Sequence, residues 1–189
     1  MIDTLCEQAV EESTTVSYFY FDFAAKEEQT PAAVLGSVLK QVLHGLDEVP
    51  EKIAKAFQDR EKVTSGHNIL LPETVEFLKD ISSSRCVFIC IDALDECQER
   101  HRAKLLDSLD QILRGSPAAR IYLTGRPHIR TEVEKYFAGR LATASITPTK
   151  DDIAGFIRAK LREGKMPEAM SEELEVEVDQ DIPETISDR

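Results

Sequence analysis

Val87-Phe88-Ile89-Cys90-Ile91-Asp92-Ala93-Leu94-Asp95-Glu96 is the stretch whose reading decides the fold. From Cys86 to Ile91 the residues are apolar without alternation, and then an acid follows. That pattern suits a parallel strand covered on both faces. The carboxyl edge of such a strand is where α/β proteins open their ligand crevice. An acid there can hold Mg²⁺, directly or through water, while the metal bridges β- and γ-phosphate oxygens. Asp95 and Glu96 lie just beyond, where a carboxylate can orient or deprotonate an attacking water. The competing reading is that Asp95-Glu96 merely opens the next helix, favoured by the helix dipole. An Asp-x-x-Asp-Glu spacing after so long an apolar run favours the nucleotide-type reading.

Downstream, Leu105, Leu106, Leu109, Ile112 and Leu113 recur at helical spacing, and Gly115 and Pro117 close the helix. A second strand, Arg120–Thr124, ends at Gly125-Arg126-Pro127. Arg126 would then reach the same crevice, where a guanidinium fork matches phosphate oxygens and stays charged. Against this stands a plain exposed arginine in a turn set by glycine and proline. His128 reads as a surface residue, and His44, His67 and His101 have no carboxylate or nucleophile arrangement. After Arg126 the pattern predicts a helix near Ile129–Phe137, a strand at Leu141–Ile146 and a helix from Thr149 to Arg162. Thr149-Lys150-Asp151-Asp152 has the residue types of a capping box.

Upstream, Val16–Phe23 is aromatic and β-branched and predicts a buried strand. Thr30-Pro31 opens a helix in the expected way, with Val34, Leu35, Val38, Leu39, Val42 and Leu43 inward. Helices follow around Pro50–Arg60 and Pro72–Ser82, with a polar loop from Lys62 to Asn68. Residues 2–12 carry Ile2, Leu5, Cys6, Ala9 and Val10, a helical stripe. Strands alternating with helices give an α/β fold on a mostly parallel sheet.

The 189 residues, 42% hydrophobic and 31% charged, are ordinary for a globular domain. No stretch approaches the roughly 18 apolar residues of a membrane span. The start has no basic region ahead of an apolar core, so the expected compartment is the cytoplasm. Cys6, Cys86, Cys90 and Cys97 lack disulfide or zinc spacing and read as buried small hydrophobes. The net charge is −12. Ten acids against Lys165 and Arg189 put −8 in residues 163–189, leaving −4 for the rest. No basic stripe exists to hold a phosphate backbone, so nucleic acid is a disfavoured partner. The tail keeps Leu174, Val178 and Ile182 at four-residue steps, as in an acidic amphipathic helix, though Leu174, Val176 and Val178 also alternate. The one boundary expected lies near Gly164, giving a body at 1–163 and an acidic tail at 164–189.

Ile89-Cys90-Ile91-Asp92-Ala93-Leu94-Asp95-Glu96-Cys97 together with Leu123-Thr124-Gly125-Arg126-Pro127-His128-Ile129 closely resembles the NACHT domains of fungal STAND proteins, the nephrocystin-3-like N-terminal domain type. Phe19–Phe23 and Pro148–Ile153 resemble the same family. The resemblance spans roughly residues 1–187. It implies a three-layer P-loop NTPase-like fold and an ATP- or GTP-driven switch in self-recognition or cell-death signalling. By that resemblance Asp92 is the Mg²⁺ acid, Asp95 and Glu96 are catalytic acids, and Arg126 is the sensor to the γ-phosphate.

One departure qualifies the likeness. A P-loop needs Gly-x-x-x-x-Gly-Lys-[Ser/Thr], whose backbone N–H groups and lysine cradle phosphate. None of the eight glycines in these residues is followed by Lys-Ser or Lys-Thr. By the resemblance, residues 2–12 correspond to the helix after that loop. The strand carrying the loop would sit between Arg120–Thr124 and Leu141–Ile146. The expectation is therefore an incomplete P-loop-like sheet with vestigial acids and no tight autonomous binding of Mg²⁺ and ATP or GTP. An alternative is a non-catalytic regulator that pairs with full-length NACHT relatives. A metal-dependent hydrolase without a P-loop is disfavoured, because no further acid or histidine completes a metal site.

Overall fold

The computed structural model describes residues 14–63 and 70–163. The expected helix at 2–12, most of the loop after Lys62, and the acidic tail lie outside them. The chain divides between Leu141 and Ala142 into two units.

In the first unit three strands, β1 (Thr15–Tyr20), β2 (Val87–Asp92) and β3 (Ala119–Leu123), form one sheet in the order β1-β2-β3. Both pairings are parallel, with Tyr20 beside Asp92 and Ile91 beside Leu123. Three helices separate β1 from β2: α1 (Pro31–His44), α2 (Glu51–Val63) and α3 (Leu71–Ser84). One helix, α4 (Glu99–Gly115), separates β2 from β3, and α5 (Arg130–Tyr136) follows. Parallel neighbours require such crossovers, since a hairpin cannot join them.

Local signals explain where elements start and stop. The Thr30 hydroxyl accepts from Ala33 N–H at 3.3 Å and Pro31 fills the first turn of α1. β1 ends at Tyr20 rather than running to Phe23. Asp22 Oδ1 accepts from Ala24 N–H at 2.9 Å and turns the chain into the short helix Phe23–Ala25. This is the local competition that aspartate offers a strand ladder.

One face of the sheet is built by Val87, Ile89, Ile91 and Ala119, all buried. Val34, Leu35, Val38, Leu39 and Val42 of α1 belong to the same core, with Val75, Leu78 and Ile81 of α3 and Leu105, Leu106, Leu109 and Ile112 of α4. Strand residues alternate in direction, so the other face carries Tyr18 and Tyr20, exposed by 43% and 51%, whose rings lie 5.5 Å apart. The expected inward stripes of α1 and α4 are observed, except that Leu43 and Leu113 are only half-buried.

The two outer edges of the sheet differ. At β1 the Gln41 side-chain amide accepts from Tyr18 N–H at 3.0 Å and donates to Tyr18 C=O at 2.8 Å. It imitates a neighbouring strand. At β3 the even-numbered backbone groups point to β2, as Val87 N–H to Ala118 O and Thr124 N–H to Ile91 O show. The odd-numbered groups therefore face outward. Ala119 O accepts from Arg120 Nη1 at 2.9 Å. Among the described residues, Ile121 and Leu123 meet no strand on that side.

The strand expected at Leu141–Ile146 does not form. Residues 141–149 have no regular structure, and Ile146 is 86% exposed. Extended chain is stabilised by a ladder partner and a buried face, and among the described residues no strand stands beside it. In the second unit α6 (Lys150–Glu163) starts as expected. Thr149 Oγ1 accepts from Asp152 N–H at 3.2 Å, while Asp152 Oδ2 accepts from Thr149 N–H at 2.9 Å.

Candidate functional site

The carboxyl ends of β2 and β3 lie side by side, and the residues beyond each are tied together. After Asp92 the chain turns through Ala93, which adopts φ 53° and ψ 43°, the one left-handed non-glycine among the described residues. For a residue with a Cβ this costs roughly 1–2 kcal/mol. Three hydrogen bonds hold it. Ala93 N–H donates to Thr124 Oγ1 at 3.0 Å, and Leu94 N–H to Thr124 O at 2.9 Å. The Thr124 hydroxyl itself donates to Asp92 Oδ1.

That arrangement fixes the proton. The hydroxyl oxygen accepts from Ala93 N–H, and its single hydrogen goes to Asp92 Oδ1, which accepts it. One carboxylate oxygen of Asp92, Oδ1, is thereby engaged.

The turn carries on as a single helical turn, Leu94–Glu96, anchored by fully buried Leu94. It brings Asp95 back over the end of β3. Asp95 Oδ1 accepts from Arg126 N–H at 3.2 Å, and Asp95 Oδ2 pairs with Arg126 Nε at 3.4 Å. The Asp95 side chain is 8% exposed and that of Arg126 76%. The carboxylate is thus nearly buried, while the guanidinium lies mostly in solvent. Gly125 permits this approach: a Cβ there would stand 2.6 Å from Ile129 Cδ1 and 3.4 Å from Asp95 Oδ1.

Asp92, Asp95 and Arg126 are therefore gathered at one sheet end. Glu96, half-buried, closes the turn through its N–H to Ala93 O at 2.9 Å and takes no part in the bonds linking the others. His128 is exposed. Sequence reasoning read Thr124 only as part of a motif; a threonine between an apolar strand and glycine was the available signal.

Three cysteines lie among the described residues, and Cys6 lies outside them. Cys90 and Cys97 are buried and Cys86 is half-buried, all as free thiols. Burial pushes the Cys97 thiol up to about 11, with Arg102 opposing and Glu132 adding to the shift. Such a thiol stays protonated and inert.

No group of three or more His, Cys, Asp or Glu among the described residues could hold a metal. Asp92 with one free oxygen fits Mg²⁺ carried on phosphates, which keeps its waters and takes one or two carboxylates. It does not make a resident all-protein metal cage.

This sheet and its terminal acids and arginine define an α/β module built on a parallel sheet. The sequence model of the family described as nephrocystin 3, N-terminal, matches residues 1–126, and the chain belongs to that family, a NACHT/P-loop-like, nucleotide-triphosphatase-related group. Among solved structures the chain is similar to a Walker-type ATPase of Pyrococcus abyssi, at 14% identity and a TM-score of 0.46, over 96% of this chain. The chain spans 61% of that protein's length. No curated protein sequence matches it.

Proposed function

We propose that these residues form the acid-and-sensor half of a NACHT-type signalling switch of the fungal STAND kind, acting in the cytoplasm. In this reading Asp92 of the Walker B strand faces Mg²⁺, Asp95 and Glu96 stand where catalytic acids would, and Arg126 reads the γ-phosphate of ATP or GTP. Bound Mg²⁺ would supply charge neutralisation at the β- and γ-phosphate oxygens. The chain's own residues orient: Thr124 holds the Asp92 carboxylate, and Asp95 holds the Arg126 backbone.

The observation that carries the reading is the meeting of Asp92 and Arg126 through Thr124 and Asp95 at the ends of β2 and β3. No glycine-lysine phosphate cup exists in these residues, so binding by the chain alone is weak and the acids are vestigial. Several charge-assisted hydrogen bonds of about 1.5–3 kcal/mol each are missing at once. Titration with a fluorescent ATP or GTP analogue in Mg²⁺ tests this. A Kd tighter than about 100 µM, about −5.5 kcal/mol, would refute weak autonomous binding.

A second reading is favoured by β3, whose Ile121 and Leu123 meet no strand on the outer side among the described residues. The chain would serve as a non-catalytic regulator that pairs with full-length NACHT relatives, adding a strand ladder rather than a catalytic group. Co-purification of the tagged chain with a purified full-length relative supports it, and failure to co-purify at micromolar concentrations refutes it.

A further inference from the structure

The residues that follow β2 and those that follow β3 are joined at a second point, away from Asp95 and Arg126. Arg102, near the start of α4, has a side chain only 11% exposed. Its Nε donates to Glu132 Oε2 at 2.7 Å, and its Nη1 donates to Cys97 O at 3.0 Å. Cys97 ends the turn that carries Asp95 and Glu96, and Glu132 lies in the first turn of α5. A guanidinium is planar and rigid, so targets on two of its edges are held at one spacing.

We propose that Arg102 is a positioning residue for Arg126, a role that rests on reading Arg126 as the phosphate sensor. Arg126 and Glu132 sit on one continuous helical stretch. Ile129 N–H donates to Arg126 O at 3.2 Å, and the short helix Pro127–Ile129 runs directly into α5. Six helical residues make a stiff arm of roughly 9 Å. Asp95 grips one end of that arm and Arg102 the other. An arm gripped at one end pivots; gripped at both, it does not. Arg102 stands on a fixed base, since Leu105, Leu106 and Leu109 of α4 are fully buried.

Energetics separate this role from plain stabilisation. The attraction within a buried ion pair is offset by desolvation of its charges, and apolar residues of similar volume often replace it without loss. What Arg102 supplies is direction. Forked bonds to two atoms permit one orientation of α5 against the acid-bearing turn, where an apolar contact permits several.

Amide hydrogen exchange of the intact chain, read by NMR without nucleotide, tests the proposal. The variant is Arg102→Met with Glu132→Leu, which leaves neither charge stranded. Its melting temperature, and exchange at Ile89 in the central strand, are expected to match the parent. The Arg126 amide, which donates to Asp95, is expected to exchange about two- to tenfold faster, as when one hydrogen bond is loosened. Asp95→Ala alone should raise the Arg126 rate, and the double change added to it should raise that rate no further. Unchanged Arg126 exchange in the double variant overturns the proposal. So does faster exchange at Ile89 together with Arg126, which would make Arg102 a support of the whole fold. Additive effects of Asp95→Ala and the double change overturn it as well. The sensor reading fails separately, when Arg126→Ala binds a fluorescent ATP analogue as the parent does, whatever the exchange rates show.

Discussion

Asp95 holds Arg126 twice, through the backbone N–H at 3.2 Å and through Nε at 3.4 Å. The first bond ends on a nearly buried carboxylate and the second on a guanidinium that is mostly in solvent. The backbone bond is therefore the structural one, because an exposed ion pair is screened and contributes about 0–1 kcal/mol. Asp95→Asn keeps an acceptor and is expected to cost under about 1 kcal/mol, whereas Asp95→Ala removes it and costs about 1–2 kcal/mol. Urea midpoints measure the difference, and equal losses would contradict this division.

The Thr124 hydroxyl serves two partners at once. Thr124→Val keeps the shape but strands Asp92 Oδ1 and the Ala93 N–H, and the expected cost is about 1–3 kcal/mol. Thr124→Ser keeps both bonds and costs less than half of that. Thermal unfolding of the two variants against the parent checks the order. A valine variant as stable as the parent would show that Asp92 is not held here.

Ala93 at φ 53° reverses the usual effect of glycine. An alanine-to-glycine change ordinarily destabilises by about 0.5–1 kcal/mol. Here relief of the left-handed strain, about 1–2 kcal/mol, offsets it, so Ala93→Gly is expected to be neutral or stabilising. Ala93→Val adds a β-branched side chain to that conformation and lowers the melting temperature. A clear loss in the glycine variant would mean the turn relaxes in solution.

Cys97 gives a pH signature. Its folded thiol is raised to about 11 by burial, so the folded state holds that proton more tightly than the unfolded one. The resulting contribution is complete below the ordinary thiol range and is lost as pH climbs through about 11. Stability should fall on the alkaline side, and Cys97→Ala should flatten that limb of the curve. At pH 8 an alkylating reagent should label half-buried Cys86 before Cys90 or Cys97, which peptide mass spectrometry resolves.

Gln41 is expected to act on association more than on folding. Gln41→Ala uncovers Tyr18 N–H and C=O and opens the β1 edge. Self-association along that edge should then increase, detected by light scattering and thioflavin fluorescence. A variant that sediments like the parent would show the β1 edge to be protected by something other than this amide.

Much of the fold could be read in advance because its signals are local. Cys86–Ile91 announces a covered strand, the leucines of Glu99–Gly115 a helical face, and Thr149 with Asp152 a cap. Each needs only neighbouring residues. The misreadings were of a different kind. Val16–Phe23 looked uniformly strand-like, yet the Asp22 side chain ends β1 by bonding Ala24. Leu141–Ile146 has strand composition, but a strand exists only beside another strand, and composition does not state whether a neighbour is there.

The site divides along the same line. Amino-acid order alone determined that Asp92 and Arg126 follow two strands of a parallel sheet, since the periodicity of each segment is written within it. It could not determine that Thr124 gives its proton to Asp92, that Ala93 turns left-handed, or that Asp95 reaches the Arg126 amide. Those facts arise from contacts about 30 residues apart along the chain, set by the register of β2 against β3. The edge asymmetry was equally hidden. Gln41 is 23 residues from Tyr18, and only packing of α1 on β1 brings an amide side chain to where a strand would otherwise bond.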